Sequence, residues 1–255
     1  MTTTIQAPQH QKVRMTSTRK HSLAAGIFYV VTFISMPILV LYNIAKTDPE
    51  FILGAGSGTP VVWGTILELT VALAGIGTAI ALFPIVKRQN ESMAIGFVAT
   101  RTLEASLIFV GVVSLLSLVT LQQDLGTVPG ADTSALVVVG TSHAATYQWA
   151  FTVGQSLMPG FNAILLGTLM YKSRLVPRVL PIMGLIGAPL LITSTLATVV
   201  GLNEPLSAWS ALSALPVAAW ELSLGIYLLV KGFKRTPLIE ALDAEEAAGF
   251  VTTAP

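Results

Sequence analysis

The apolar positions of the chain are gathered into six long runs, which short polar connections separate. A helix that crosses the ~30 Å hydrocarbon core of a bilayer needs about 20 apolar residues at ~1.5 Å per residue, and each run reaches that length. The runs are apolar on all sides, as expected of helices that face lipid on one side and neighbouring helices on the other. The predicted spans cover residues 23–44, 61–86, 93–121, 146–171, 179–201 and 206–230.

The basic residues predict how these spans are oriented. If six spans alternate in direction, all of the 14 lysine and arginine residues except Lys46 and Arg101 lie in connections or tails on one side. Basic connections stay on the cytoplasmic side, so both termini are expected in the cytoplasm. A seventh span would break this separation. The first run is too long for the apolar part of a signal peptide, and we expect it to be a retained helix.

Composition supports a membrane protein and excludes several other classes. The chain has 255 residues, 53% of them hydrophobic and 11% charged, and its mean hydropathy is +0.74. Soluble domains carry about 25% charged residues. The net charge of +1 argues against nucleic acid as a partner, and the absence of cysteine excludes thiolate metal sites. We expect the lipid bilayer as a partner, and neither a metal nor a cofactor.

The predicted organisation is an all-α, polytopic membrane helix bundle with a polar tail at each end. Residues 1–22 form a basic cytoplasmic tail, residues 23–232 the six-helix membrane domain, and residues 233–255 an acidic cytoplasmic tail that we expect to be disordered. The connection at 122–145 contains an apolar piece, 135–139, that is too short to span. This piece is an interfacial segment, a re-entrant segment or an extension of the fourth helix.

Four ionisable residues fall inside the predicted spans: Glu68, Arg101, Glu104 and Glu221. A charge in the bilayer costs several kcal/mol, so these side chains should face a protein interior or a wet cavity. Arg101 and Glu104 are three residues apart on one helical face, and Glu221 lies at a depth that can reach Arg101. The arginine keeps its proton and must be paired, and the remaining carboxyls must meet water or carry a proton. The cluster therefore indicates proton handling, or else an ion pair that only fixes helix register.

Three amide side chains form a line along the fourth predicted span. Gln148, Gln155 and Asn162 are seven residues apart, two helical turns, and lie on nearly one face, where they can bridge helices or bind a ligand. Trp220 adjoins Glu221 in the sequence. The candidate catalytic residues are Glu221, Glu104 and Glu68. The candidate ligand-binding residues are Glu68, Arg101, Glu104, Gln148, Gln155, Asn162, Trp220 and Glu221.

Three functions are compatible with this pattern. The first is a binder or proton-coupled carrier of a small amphipathic molecule, because intramembrane carboxylates are typical of such pathways. The second is an intramembrane acid–base enzyme, cyclase-like or isomerase-like, in which Glu221 moves a proton on a lipophilic substrate and Arg101 stabilises negative charge. The third is an accessory membrane subunit, since Gly75 and Ala79 are small residues four apart that suit close helix approach.

Several short motifs together resemble one bacterial family. They are Arg101-Thr-Leu-Glu104, Tyr171-Lys-Ser-Arg-Leu-Val-Pro-Arg178, Gly184-Leu-Ile-Gly-Ala-Pro-Leu190 and Trp220-Glu-Leu-Ser-Leu-Gly225. As a set they resemble the multi-pass membrane family catalogued as domain of unknown function 4386, over approximately residues 20–235. The resemblance implies a multi-pass protein of the bacterial plasma membrane. It supplies no activity and no catalytic residue.

Overall fold

A computed structural model describes residues 15–35, 38–126, 128–205 and 207–252 of the chain. These residues form helices and contain no strand. Short 3₁₀ helices lie at Phe33–Ser35 and Pro49–Leu53, and a π-helical turn lies at Thr152–Leu157. The α-helices are α1 Ser17–Thr32, α2 Ile38–Leu41, α3 Asn43–Thr47, α4 Thr59–Val86, α5 Glu91–Leu125, α6 Thr133–Phe151, α7 Met158–Ser173, α8 Val179–Val199, α9 Ala208–Val230 and α10 Pro237–Thr252.

Polar caps define where several long helices begin. The Asn90 side chain accepts a hydrogen bond from the N–H of Met93 at the start of α5, and Ser207 caps α9 in the same way. Such caps satisfy N–H groups that have no partner within the helix. Asp132 caps α6, and the Ser134 hydroxyl and the backbone N–H of Ala135 lower the pKa of its carboxyl.

Four of the described helices, α4, α5, α8 and α9, are long and apolar enough to cross a membrane. They coincide with the second, third, fifth and sixth apolar runs of the sequence. The length and the apolar composition of these four helices indicate a helical membrane protein. The first predicted span, 23–44, is instead divided, because α1 ends at Thr32 and only short helices follow. Pro37 lies in this run, outside the described residues, and a proline disfavours an unbroken helix because it has no backbone N–H.

The helix that corresponds to the fourth predicted span begins earlier than its apolar run, and it contains a π-helical turn. Helix α6 begins at Thr133, so the apolar piece 135–139 is an extension of the fourth helix, one of the three alternatives that the sequence left open. Pro159 cannot donate to the carbonyl four residues before it, and the N–H of Met158 bonds Val153, five residues back. The helix is thus interrupted one turn before the Pro159-Gly160 pair.

The long helices form a closed ring. Helix α1 packs on α4, α4 on α5, α5 on α6 and α7, α7 on α8, α8 on α9, and α9 returns to α1. Glycines allow α1 and α9 to approach closely where the ring closes. A Cβ atom at Gly26 would lie 2.6 Å from the backbone N of Leu229, and one at Gly225 would lie 2.7 Å from the Cβ of Tyr29. The two helix backbones therefore touch directly.

The C-terminal tail differs from its prediction. The sequence predicts disorder for residues 233–255, whereas the structure gives Pro237–Thr252 as helix α10. Its acidic side chains hold it to the start of α1. Glu246 accepts a hydrogen bond from the Ser17 N–H at 2.8 Å, and Asp243 accepts one from the Thr18 hydroxyl at 2.7 Å. Two of the carboxylates of the tail are therefore hydrogen-bonded to another helix.

Candidate functional site

Arg101 joins two carboxylates from two helices. Its side chain is only 3% exposed, its Nη1 donates to Glu104 of α5 at 3.0 Å, and its Nη2 donates to Glu221 of α9. The guanidinium also lies 5.5 Å from the ring centre of Tyr29 and 5.8 Å from that of Phe97, which adds cation–π attraction. The structure therefore brings together three of the four ionisable residues. We call Arg101, Glu104 and Glu221 the Arg101 cluster.

Asn162 of α7 extends this cluster. It is fully buried, it donates to Glu104 Oε2 at 2.7 Å, and it accepts a hydrogen bond from the Thr100 hydroxyl at 2.5 Å. Glu104 Oε2 thus receives both Arg101 and Asn162, and Glu221 Oε1 receives Arg101. Within the described part of the chain, neither Glu104 Oε1 nor Glu221 Oε2 accepts a hydrogen bond. Each carboxylate of the Arg101 cluster therefore keeps one oxygen for another partner.

Glu68 lies in a separate site, although the sequence grouped it with Arg101. It is 1% exposed and accepts hydrogen bonds from Tyr42 at 2.9 Å, from Gln155 at 2.5 Å and from Tyr147 at 3.4 Å. Lys46 lies 5.7 Å from the ring centre of Tyr147 and is the nearest cation that the structure places beside this site. Three donors from three parts of the chain satisfy Glu68, which makes it a link between helices. We call these residues the Glu68 site.

A central cavity of about 310 Å³ lies inside the helix ring. It extends from the Arg101 cluster to the C-terminal end of α8 and the N-terminal end of α9, where hydroxyls line its wall. Among the described lining residues, Arg101, Glu104 and Glu221 are the charged ones, and the rest are apolar or neutral polar. The two carboxylate side chains are 12% and 13% exposed, against 3% for Arg101. The two carboxylates at the cavity wall are therefore more accessible than the guanidinium.

The amide line of the fourth predicted span is divided between the cavity and its surroundings. Gln148 and Gln155 line the cavity, and the amide N–H of Gln155 points to Glu68, which leaves its carbonyl oxygen unused in the described residues. Asn162 lies outside the cavity wall but fixes Glu104. Trp220 does not line the cavity. Its fully buried ring packs against Gly184 of α8, so its neighbour Glu221 points elsewhere around the helix.

Sequence reasoning missed the hydroxyls of the cavity wall and the tyrosines of the Glu68 site. Ser194 and Thr198 are four residues apart on α8 and both line the cavity, so their spacing was a usable signal for a polar stripe. Asn203, in the connection to α9, donates to Ser210 at 2.8 Å and to Thr198 at 3.3 Å. These bonds tie the connection to the cavity wall at this end.

No group of three or more His, Cys, Asp or Glu side chains in the described residues is placed to hold a metal ion. The absence of a metal and of a cofactor stays a prediction.

A family model matches most of the chain. The chain belongs to the family described as domain of unknown function (DUF4386), whose model matches residues 24–232. This match confirms the resemblance that the sequence motifs indicate. No curated protein and no solved structure matches the chain.

Proposed function

We propose that this chain is a six-span protein of the bacterial plasma membrane that binds a small amphipathic molecule in the central cavity and carries it in exchange for protons. The spans are α1 with the short helices after it, α4, α5, α6 with α7, α8 and α9. Their closed ring supports this count, because each predicted span packs on its neighbours in the chain. The distribution of basic residues supports cytoplasmic termini.

The observation that carries the proposal is the excess of carboxylate over cation at the cavity wall. One guanidinium balances one carboxylate, but Arg101 meets two, and both line the cavity. An ion pair that only fastened α5 to α9 would need a single carboxylate and no adjoining space. The surplus carboxylate and the 310 Å³ cavity therefore favour a binding site over a structural link.

The same excess provides for proton coupling. Arg101 keeps its charge at all relevant pH values. With both glutamates ionised the Arg101 cluster carries a net charge of −1, and with one proton bound it is neutral. A ligand that meets the free carboxylate oxygens competes with that proton, so binding of one and release of the other are linked.

The geometry favours a binder over an acid–base enzyme. Such an enzyme needs an acid and a base placed on either side of the reacting bond. Here Glu104 and Glu221 share one guanidinium, and Glu68 is satisfied in its own site. The accessory role loses part of its support as well, because Gly75 lines the cavity instead of the outer surface.

The proposal predicts a ligand that depends on Glu221. Native mass spectrometry of protein extracted gently from its membrane should show an added small mass on the wild type. Glu221→Gln should lose this mass and keep its fold, because Arg101 and Glu104 remain a neutral pair. Occupancy in the wild type should also change between acidic and neutral buffer.

A surface glutamate offers a matched control for this experiment. Glu240 on α10 is exposed, and Glu240→Gln makes the same chemical change outside the cavity. It should keep the bound mass and its pH dependence. Equal occupancy in Glu221→Gln and the wild type, or wild-type occupancy that ignores pH, would contradict the proposal.

A further inference from the structure

We infer that the ligand of the central cavity is a small lipophilic amine, bound as its ammonium ion. This inference rests on the proposed function and names its ligand class. The charged groups that line the cavity in the described residues are two carboxylates, whose side chains are 12% and 13% exposed, and one guanidinium, whose side chain is 3% exposed. With both glutamates ionised, the wall thus presents a net charge of −1 to an occupant.

The carboxylate oxygens of the Arg101 cluster that accept no hydrogen bond can accept one from a ligand that carries a donor. Glu104 Oε1 and Glu221 Oε2 accept no hydrogen bond from the described residues, and an ionised carboxylate can only accept. Gln148 and Gln155 add amide oxygens to the same wall. An ammonium group supplies up to three N–H donors and a positive charge, and it satisfies several of these acceptors at once.

An anionic ligand lacks a partner in this cavity. Both Nη atoms of Arg101 donate to the glutamates, and its Nε, which has no hydrogen-bond partner among the described residues, is buried where a ligand in the cavity does not reach it. A carboxylate or phosphate ligand would need these donors, and it would meet the two glutamates as like charges. A neutral alcohol can donate a hydrogen bond to one carboxylate oxygen, but it has no charge to replace the proton of the Arg101 cluster, so it gains no ion pair.

The rest of the wall suits an apolar body of modest size. Apolar side chains also line the cavity, among them Phe33, Val71, Ile108, Phe151 and Leu191. The volume of about 310 Å³ is at the small end of the range of ligand pockets, which fits a compact amine and excludes a whole lipid. The aromatic faces can also attract the ammonium group while it enters.

An ammonium ligand gives the proton exchange a definite charge balance. If the Arg101 cluster carries one proton when empty, entry of one ammonium ion displaces one proton and the site stays neutral. The titratable and charged groups around it are Glu104 and Arg101 of α5, Glu221 of α9 and Tyr29 of α1. Among the described cavity-lining residues of α4, α6, α7 and α8 there is no further charged group.

The test compares three probes of nearly equal shape: 2-phenylethylamine, 2-phenylethanol and phenylacetate. Binding is measured by equilibrium dialysis of labelled probe against the full chain in lipid nanodiscs, with empty nanodiscs subtracted. The amine should bind at neutral pH at least about tenfold more tightly than either analogue, since loss of a buried charge pair exceeds the 1.4 kcal/mol of a tenfold change. Acidic buffer should weaken its binding.

Three variants locate the bound amine. Glu221→Gln should lose about tenfold or more in amine affinity, and Glu240→Gln should bind as the wild type does. Gly75→Leu keeps every charge and fills the cavity, because a Cβ at Gly75 has no described atom within 4 Å apart from the neighbouring residues and backbone of α4 itself. It should also abolish amine binding, which keeps the inference testable if Glu221→Gln misfolds.

The possible failures separate the two proposals. Alcohol or phenylacetate binding as tightly as the amine would overturn the amine inference and leave a binding cavity in place. Amine binding that survives both Glu221→Gln and Gly75→Leu would overturn the assignment to this cavity. If none of the probes binds, the amine inference is wrong. The proposed function is then decided separately, by whether native mass spectrometry shows a bound small mass on the wild type.

Discussion

Arg101→Met is expected to lower the free energy of unfolding by about 3–5 kcal/mol, the cost of leaving a buried charge without its partner. The substitution removes the only cation that the described structure places on Glu104 and Glu221. Two carboxylates then remain at the cavity wall without a cation, and they repel one another. The measurement is a denaturation titration of the purified protein in mixed micelles, followed by circular dichroism.

A surface ion pair provides the matched control. Arg88 donates to Glu245 at 2.8 Å, but the two side chains are 49% and 58% exposed. Arg88→Met should cost only about 0–1 kcal/mol, because exposed pairs are screened by water and salt. Combining Arg101→Met with Glu104→Gln and Glu221→Gln should recover most of the lost stability. If Arg101→Met is as mild as Arg88→Met, the cluster is hydrated and its charges do not depend on one another.

Gly26→Ala should open the ring of helices where α1 meets α9. The new Cβ would lie 2.6 Å from the backbone N of Leu229 and 2.9 Å from the backbone O of Gly225. These are backbone atoms, so relief requires the two helices to separate and not merely a side chain to turn. We expect a loss of at least about 1–3 kcal/mol, the usual range for overpacking. The same micelle titration measures it.

Gly75→Ala is the control for Gly26→Ala, since it places the same methyl group in another helix of the ring. Apart from the neighbouring residues and backbone of α4 itself, no described atom lies within 4 Å of the Cβ it would add. Alanine in a helix interior is favoured over glycine by about 0.5–1 kcal/mol, so Gly75→Ala should be neutral or stabilising. Equal effects of the two substitutions would show that α1 and α9 do not touch through their backbones.

The apolar runs of the sequence predict four of the long helices closely. Three of them, α4, α8 and α9, begin and end within about two residues of their predicted spans. The third run ends at residue 121 in the sequence, but α5 continues to Leu125. Gln122 explains part of this extension, because its side-chain amide donates to the carbonyl of Phe51 at 2.6 Å. A tertiary contact of this kind leaves no trace in the pattern of apolar positions.

The Arg101 cluster was predictable and the Glu68 site was not, for a geometric reason. Arg101 and Glu104 are neighbours on one helix, and the depth of Glu221 follows from helix rise alone. Whether Glu68 faces the same side depends on the rotation of α4 about its axis, which depth does not determine. Its tyrosine partners come from distant parts of the chain, and α4 is apolar on nearly all sides. The sequence therefore does not determine which side of α4 points toward the inside of the ring.

The central claim is that a polar cavity lies inside the helix ring. Cysteine labelling tests it most directly, because the chain itself has no cysteine. Single cysteines at Leu73, Gly75 and Ala79 of α4 probe the outer surface, the cavity and the packed interior. Leu73 is 61% exposed on the outside of the ring, and Ala79 is 1% exposed. With the protein in lipid vesicles, a positively charged, water-soluble methanethiosulfonate should modify Gly75→Cys quickly and leave Leu73→Cys and Ala79→Cys largely unmodified. Modification of Gly75→Cys as slow as that of Ala79→Cys would mean that no polar cavity reaches the carboxylates.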